Sequence, residues 1–593
     1  MKILGLSVGV TSSAALMVDG TIIAAVSEER LNRIKNYDGF PVMAINECLD
    51  IGGITADEID YVAWGGAVGV SAEQYITNRY CNFKVADLIK EQEEYWKPLI
   101  FDNDQKDFFE IFEEKINTSQ FPGKKYLQPL IDEKNIETRD KEWRKLYKNL
   151  PNISHGFDLN KNVFLNHHKC HAAYAVNGMP SEKSEKLIFT LDGSGDGENA
   201  TVWKYSNGNY EKLFGTSQFI LGRYYRHATL ILGMKMVEDE YKVMGLAPYG
   251  KPYHSDLPYK VYSNTFQING LDVDFKDKPT DAYFYFKEKL KASRFDGIAA
   301  GIQRFVEDRV CEWINNWMVH TGIKDIALSG GVSMNIKTNM EIVSRCKPSS
   351  MIVPGSGSDE SLAIGACYLL ADKFEIKTTK IANLYLGTDI KKENVENLAE
   401  SLDENRYEII KNIDNDKIVD LLVDGKILGR CCGRMEFGAR AQGNRSIIAD
   451  PRRIDTVQRL NEKIKNRDFW MPFAPSIIEE RKEDYLITHN NINYYHMSVG
   501  AHTTAEGKKN LKAGLHPSDL TARPNIVNEQ TNKEYYALLK AFEKKTGTGA
   551  LLNTSLNVHG FPIVRNEHEA MYVLDNTDID GMIIDNYFFL KKG

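Results

Sequence analysis

Apolar and polar positions over the first thirty residues fall into three short runs separated by turns. Residues 3–8 are apolar, residues 9–13 are a turn of small side chains, and residues 14–18 are apolar again. Asp19-Gly20 is a hairpin signal and residues 21–26 form a third run, so three strands are predicted. The layout recurs later. Residues 187–191 read as a strand and Asp192-Gly193-Ser194-Gly195-Asp196-Gly197 as a small acidic turn. Residues 201–205 then pair through 206–209 with 210–214. Two such units predict a duplicated α/β domain. Between them, residues 70–155 carry aromatics and charges, as in Glu91-Gln92-Glu93-Glu94-Tyr95-Trp96, and predict amphipathic helices inserted into the first half, mostly as packing. The pattern resets at the polar link Lys377-Thr378-Thr379-Lys380, which divides the chain into 1–380 and 381–593.

At 593 residues, more than one domain is expected. The 42% hydrophobic and 26% charged content is that of a folded globular protein. Lys and Arg number 74 against 82 Asp and Glu, a formal charge of -8, which argues against a general nucleic-acid binder. Eight scattered cysteines with no CxxC pair suit buried thiols of a reducing compartment. No apolar run is long enough to span a bilayer, and the apolar start continues through Asp19-Gly20 into another run, as a strand does and a signal peptide does not. A cytoplasmic location without membrane or nucleic-acid partners is expected; oligomeric state is left open.

Three regions carry candidate chemistry. Residues 166–178 read as a short helix stopped by Asn177-Gly178. His167 and His171 are four apart and leave one helical face, a geometry that suits one metal ion, whereas His168 falls on another face and reads as structural. Asp192, at the end of the following strand, can complete the shell, and such a His/carboxylate set suits iron, zinc or manganese. Next, Gly330-Gly331 follows a strand-like run and lets backbone approach a ligand closely, while Asp359 stands beside a helix start. Either loop standing alone reads as an ordinary tight turn. Finally, residues 430–453 hold Arg430, Arg434, Arg440, Arg445, Arg452 and Arg453 against only Glu436 and Asp450. Such a surplus suits a phosphorylated ligand, or else is paired with acids elsewhere.

Long strings carry a resemblance: residues 238–250 (Glu238-Asp239-Glu240 onward to Gly250), 433–446, Pro472-Phe473-Ala474-Pro475, Thr521-Ala522-Arg523-Pro524, and 552–557. With them the chain resembles, nearly end to end, the O-carbamoyltransferases that decorate antibiotics and nodulation factors. The resemblance implies an actin-like (ASKHA) duplicated N-terminal domain, similar to the tRNA threonylcarbamoyltransferase, over 1–380, and a YrdC-like α/β domain over 381–593. It also implies ATP and carbamoyl phosphate as substrates, carbamoyl-adenylate as intermediate, and a hydroxyl of a small natural-product acceptor as the target. One divalent metal, iron(II) first with zinc or manganese compatible, falls on His167, His171, Asp192 and Asp359, and magnesium accompanies ATP. The adenylate site falls on Lys35, Gly330, Gly331, Asn335 and Arg440. Carbamoyl-phosphate contacts fall on Arg523, Asn553 and Ser555. Two departures stand out: Val10-Thr11 replaces a His-Asp pair common in the family, and Met471 replaces an arginine. With that histidine missing, Asp239 and Glu240 are the candidates for the general base, with pairing to Lys242 or helix capping as the alternative. A nitrogen acceptor, or a nucleotide-binding protein without transfer, are the alternative functions.

Overall fold

The computed structural model describes residues 1–118, 124–180, 185–465 and 467–592. The chain forms two compact units, Met1–Cys346 with Gly357–Lys380, and Lys347–Ser356 with Ile381–Gly593.

In the first unit both predicted meanders form. Strands β1 (Lys2–Ser7), β2 (Ser13–Val18) and β3 (Thr21–Ser27) are antiparallel neighbours. Two strands that follow, β4 (Tyr61–Gly65) and β5 (Asn162–Leu165), extend the sheet in parallel beyond β1. The second sheet repeats this order. β6 (Lys186–Gly195), β7 (Glu198–Ser206) and β8 (Asn209–Thr216) form the meander, and β9 (Asp325–Ser329) lies parallel to β6. β1, β2 and β6 are buried almost throughout, because helices cover them.

Two helices bring the sheets' functional ends together. His167–Asn177 lies against β6 and β9, Leu362–Lys373 lies against β1, β2 and β4, and the two helices pack on each other. Glycine makes these approaches possible. A Cβ on Gly5 would stand 1.9 Å from the Ala363 carbonyl oxygen, and one on Gly365 2.1 Å from that of Cys170. The predicted insertion between β4 and β5 is helical, ending in Ile136–His155, with residues 119–123 outside the described residues. Its aromatics are core: Phe83, Phe108 and Phe112 pack with Leu230, Met236 and Tyr283.

The second unit is built on an eight-stranded mixed sheet in the order Tyr407–Lys411, Tyr587–Lys591, Gly581–Ile584, Leu428–Cys431, Arg445–Ala449, Ala550–Ser555, Ala474–Ile478, Asn525–Val527. Alternate residues serve opposite faces, as a strand's two-residue period requires. Ile447, Leu552 and Met582 pack with Leu398 and Leu574 on one side, whereas Ile448, Leu551 and Ile583 pack with Leu422 and Leu538 on the other. The whole chain is mixed α/β.

Candidate functional site

Asn166 caps the helix His167–Asn177 by accepting from Lys169 N at 2.9 Å, and Asp196 accepts from the His167 amide at 2.8 Å. These two anchors fix the first turn, from which both imidazoles project. Asp192 arrives from the end of β6, and Asp359 from the one-turn helix Asp359–Ser361 that leads into Leu362–Lys373. One donor atom from each of His167, His171, Asp192 and Asp359 lies within 4.8 Å of all the others. His171 Nε2 is 3.1 Å from Asp192 Oδ2 and 3.6 Å from Asp359 Oδ1. His167 Nε2 is 3.6 and 3.8 Å from the same two oxygens.

The surroundings fit a cation. His167 Nε2 and Asp359 Oδ1 are buried with no hydrogen-bond partner, a costly state for polar atoms unless something bridges them. Asp192 is oriented by the Gly193 and Gly331 amides, at 2.5 and 3.2 Å. His171 Nδ1 lies 3.3 Å from Ser329 Oγ, whose own proton goes to the Gly357 carbonyl at 3.0 Å. The hydroxyl therefore accepts from Nδ1–H and turns the Nε2 lone pair inward, as metal-binding histidines require. Without an ion, burial opposes a charge on His171, but Asp192 and Asp359 outweigh it and push the imidazole up to about 9. Burial likewise opposes charge on Asp192, and the two histidines overcome it and hold the carboxyl well below its usual range. His168 is different. Burial, then its histidine neighbours, push it down to about 3, and it is tied to Thr190 Oγ1 at 2.7 Å and the Glu198 carbonyl at 3.1 Å.

Gly330, at φ 99, lets the loop pass so close to β6 that a Cβ would stand 2.3 Å from the Leu191 carbonyl oxygen. Asn335 caps Ile336–Glu341 through Thr338 N at 3.0 Å and exchanges hydrogen bonds with Gln303 at 2.9 and 3.1 Å, so its side chain is committed internally. Lys35 pairs with Glu238 at 3.0 Å. Both oxygens of Asp239 are engaged, by Lys235 N at 3.0 Å and Lys242 Nζ at 3.1 Å. Glu240 accepts from Val237 N at 2.6 Å, and burial raises its carboxyl against the pull of Arg226. In the first turn Thr11 takes φ 53, and its one hydroxyl proton is shared between Val10 O at 2.7 Å and Glu360 Oε2 at 3.1 Å.

In the second unit most of the arginine surplus is absorbed internally. Arg430, Arg434 and Arg445 donate to carbonyl oxygens, and Arg452 and Arg453 pair with Asp450 and Asp455. Arg440 instead faces Arg523. Burial, then Arg440 and Arg467, hold the Arg523 guanidinium well below its ordinary value, and its Nε is buried without a partner. Asn553 donates to the Ala441 carbonyl at 3.0 Å and leaves its buried Oδ1 unpartnered. Ser555 is tied to Asn557 Oδ1 at 2.7 Å and to Lys465 at 3.3 Å. Sequence reasoning missed Arg467. It stacks on Phe473 at 4.1 Å and reaches the Met471 and Pro472 carbonyls at 3.4 and 3.3 Å, so a guanidinium stands beside the string where Met471 replaces one. Asp196 and Arg226 were also missed; only the small acidic turn hinted at the former.

Known proteins are similar to this chain in sequence, some of them along its whole length. The family described as Carbamoyltransferase N-terminus matches residues 2–368, and that described as Carbamoyltransferase C-terminus matches 419–591. An uncharacterized protein of Methanocaldococcus jannaschii is 30% identical over 100% of both chains. Nodulation protein NolNO of Sinorhizobium fredii is 28% identical over 98% of this chain and 79% of its own. The 3'-hydroxymethylcephem-O-carbamoyltransferase of Streptomyces clavuligerus is 26% identical over 44% of this chain and 48% of its own. With both halves matched, the chain belongs to the carbamoyltransferase family and is an enzyme of that family.

Proposed function

We propose that this enzyme is an ATP-dependent O-carbamoyltransferase that uses carbamoyl phosphate. The second unit forms carbamoyl-adenylate, and the four-donor centre of the first serves transfer to a hydroxyl of a small natural-product acceptor. Each step balances in atoms. Water cleaves carbamoyl phosphate to carbamate and orthophosphate, a carbamate oxygen attacks the α-phosphorus of ATP, and pyrophosphate leaves. The acceptor oxygen then attacks the carbamoyl carbon, AMP leaves, and the hydroxyl proton passes to a base. An actin-like plan for the first unit, supported by its repeated meander, and a YrdC-like plan for the second belong to this reading.

Arg523 is the observation that carries it. A buried guanidinium with an unpartnered Nε, set near Arg440 and Arg467, calls for an anion, and a phosphoryl group matches its fork. Asn553 Oδ1 supplies an acceptor for an amide N–H in the same unit. In the first unit, His167, His171, Asp192 and Asp359 would hold iron(II), zinc or manganese, which when bound supplies Lewis-acid polarisation of a carbonyl. Glu240 is the better base of the two candidates, since burial raises its carboxyl, whereas Asp239 is occupied by Lys242 and the Lys235 amide. The test is pyrophosphate release from ATP without acceptor. It should require carbamoyl phosphate, yield orthophosphate alongside, and collapse in Arg523→Gln. Equal release by the variant would sink the assignment. Mass spectrometry for a carbamoyl gain then screens hydroxyl acceptors.

A further inference from the structure

The helix Leu221–Ile231 carries Arg223 and Arg226 three residues apart, on neighbouring turns of one face. Both reach the same residue. A Cβ placed on Gly193 would meet Arg226 Cζ at 2.7 Å and both terminal nitrogens at 2.8 Å, so the guanidinium lies flat over Gly193, the chain neighbour of Asp192. Arg223 donates from Nε to the Gly193 carbonyl at 3.1 Å, which leaves its two terminal nitrogens for other partners. Neither arginine forms an ion pair with any described residue.

Charge accounting makes this pair conspicuous. The titratable groups that face it are Tyr80, Glu240, Asp192, Asp359 and His227. Asp192 and Asp359 are committed to the four-donor centre, where a divalent ion would cancel them. Glu240 accepts from the Val237 amide at 2.6 Å and is the one acid left to face the pair, while burial pushes His227 down to about 4, so it is neutral. With Asp192 and Asp359 given to the centre, two guanidinium groups face one remaining carboxylate, a surplus of positive charge at its edge. Arg226 is half-buried and Arg223 is exposed, so positive charge runs from the centre outward to solvent.

We propose that Arg223 and Arg226 form an anion subsite beside the four-donor centre, filled by a carboxylate, phosphate or sulfate group of the acceptor. The inference rests on the carbamoyl-transfer reading for the word acceptor, and on the placement and charge of the two arginines for the anion. It makes the acceptor a hydroxy acid or a phosphorylated or sulfated alcohol. Its anion binds both forks and its hydroxyl lies toward Glu240. A substrate entering from solvent meets Arg223 first, and the phosphate of an adenylate held at the four-donor centre is the rival occupant.

The test uses inorganic sulfate as the probe, titrated calorimetrically into the metal-loaded full chain carrying Arg523→Gln, which removes the competing arginine. One site is expected, weakened roughly ten-fold by either Arg226→Gln or Arg223→Gln, as for loss of one charge-assisted hydrogen-bonding partner. Arg223 is exposed, so its variant remains informative if Arg226→Gln folds poorly. No binding, or affinity unchanged by both substitutions, overturns the subsite. The titration is repeated in excess AMP. Undiminished sulfate affinity supports the acceptor as occupant, and displacement by AMP gives the subsite to a nucleotide phosphate and overturns that assignment. Pyrophosphate release is not an input, so failure of the carbamoyl-adenylate reading would show separately.

Discussion

Gly195→Ala tests the four-donor centre without touching a donor. The new methyl would stand 2.1 Å from His167 Cδ2, 2.3 Å from Cγ and 2.5 Å from Nε2. Carbon atoms in contact need about 3.5 Å, so the ring must withdraw by about 1.4 Å. The backbone cannot follow, because the His167 amide is held by Asp196 at 2.8 Å and the turn is capped by Asn166. The ring must therefore rotate and carry Nε2 away from Asp192 and Asp359. Gly195 itself has no left-handed backbone angle, so alanine is tolerated there apart from this clash. Disorienting one ligand typically costs metal affinity about 10–100-fold. Competition against a coloured chelator measures it, with calorimetric unfolding of the metal-free form to show that the variant is folded. Parent affinity in a folded Gly195→Ala chain would refute the assignment of His167. In a His167→Ala background the same substitution should cost little more, because the two act through one ring.

Three further outcomes are expected. His171 is raised from its ordinary 6.5 to about 9 in the metal-free state, so its contribution to stability is full below about pH 6.5 and is lost as pH rises through about 9. Urea unfolding of chelator-treated protein should weaken by roughly 3 kcal/mol across that window, and a flat profile counts against the Asp192 and Asp359 partnership. His168→Ala should destabilise by about 1–3 kcal/mol in the same assay, because it strips Thr190 and the Glu198 carbonyl of a buried partner, yet keep full metal stoichiometry. Glu240→Gln should lower carbamoyl transfer about 10²–10⁴-fold with pyrophosphate release intact. Asp239→Asn should lower transfer less, and the opposite ranking would return the base to Asp239.

The parts legible in the sequence were those written in local periodicity. The two meanders followed from apolar runs broken by Asp19-Gly20 and by the 192–197 turn, which hydrogen-bonding geometry leaves few ways to fold. The i, i+4 spacing of His167 and His171 put both rings on one face before any tertiary contact was known. Asp359 was recoverable only through family resemblance, because nothing local links it to a helix some two hundred residues earlier. Arginine density left two readings open: Arg430, Arg434, Arg445, Arg452 and Arg453 satisfy carbonyls and nearby acids, which a charge count cannot distinguish from a ligand site. Arg467 lay outside that window, and Arg226 lay in an amphipathic helix where one arginine looks like any other. Their neighbours are set by packing, and packing is not periodic.

Because Asp359 lies roughly 190 residues beyond His171, closing that loop costs about 4–5 kcal/mol of chain entropy before the fourth donor arrives. On the ribosome, at about 5–20 residues per second, the histidines would wait roughly 10–40 s for their partner carboxylate to be made. A metal encountering the nascent chain finds at most three of the four donors, and the helix Leu362–Lys373 must dock on His167–Asn177 before the fourth is in place. On the proposed metal-centre reading, the complete ligand set is a late product of biogenesis, and the yield of four-donor centres in cells should report how many chains completed the first unit, not how many began it.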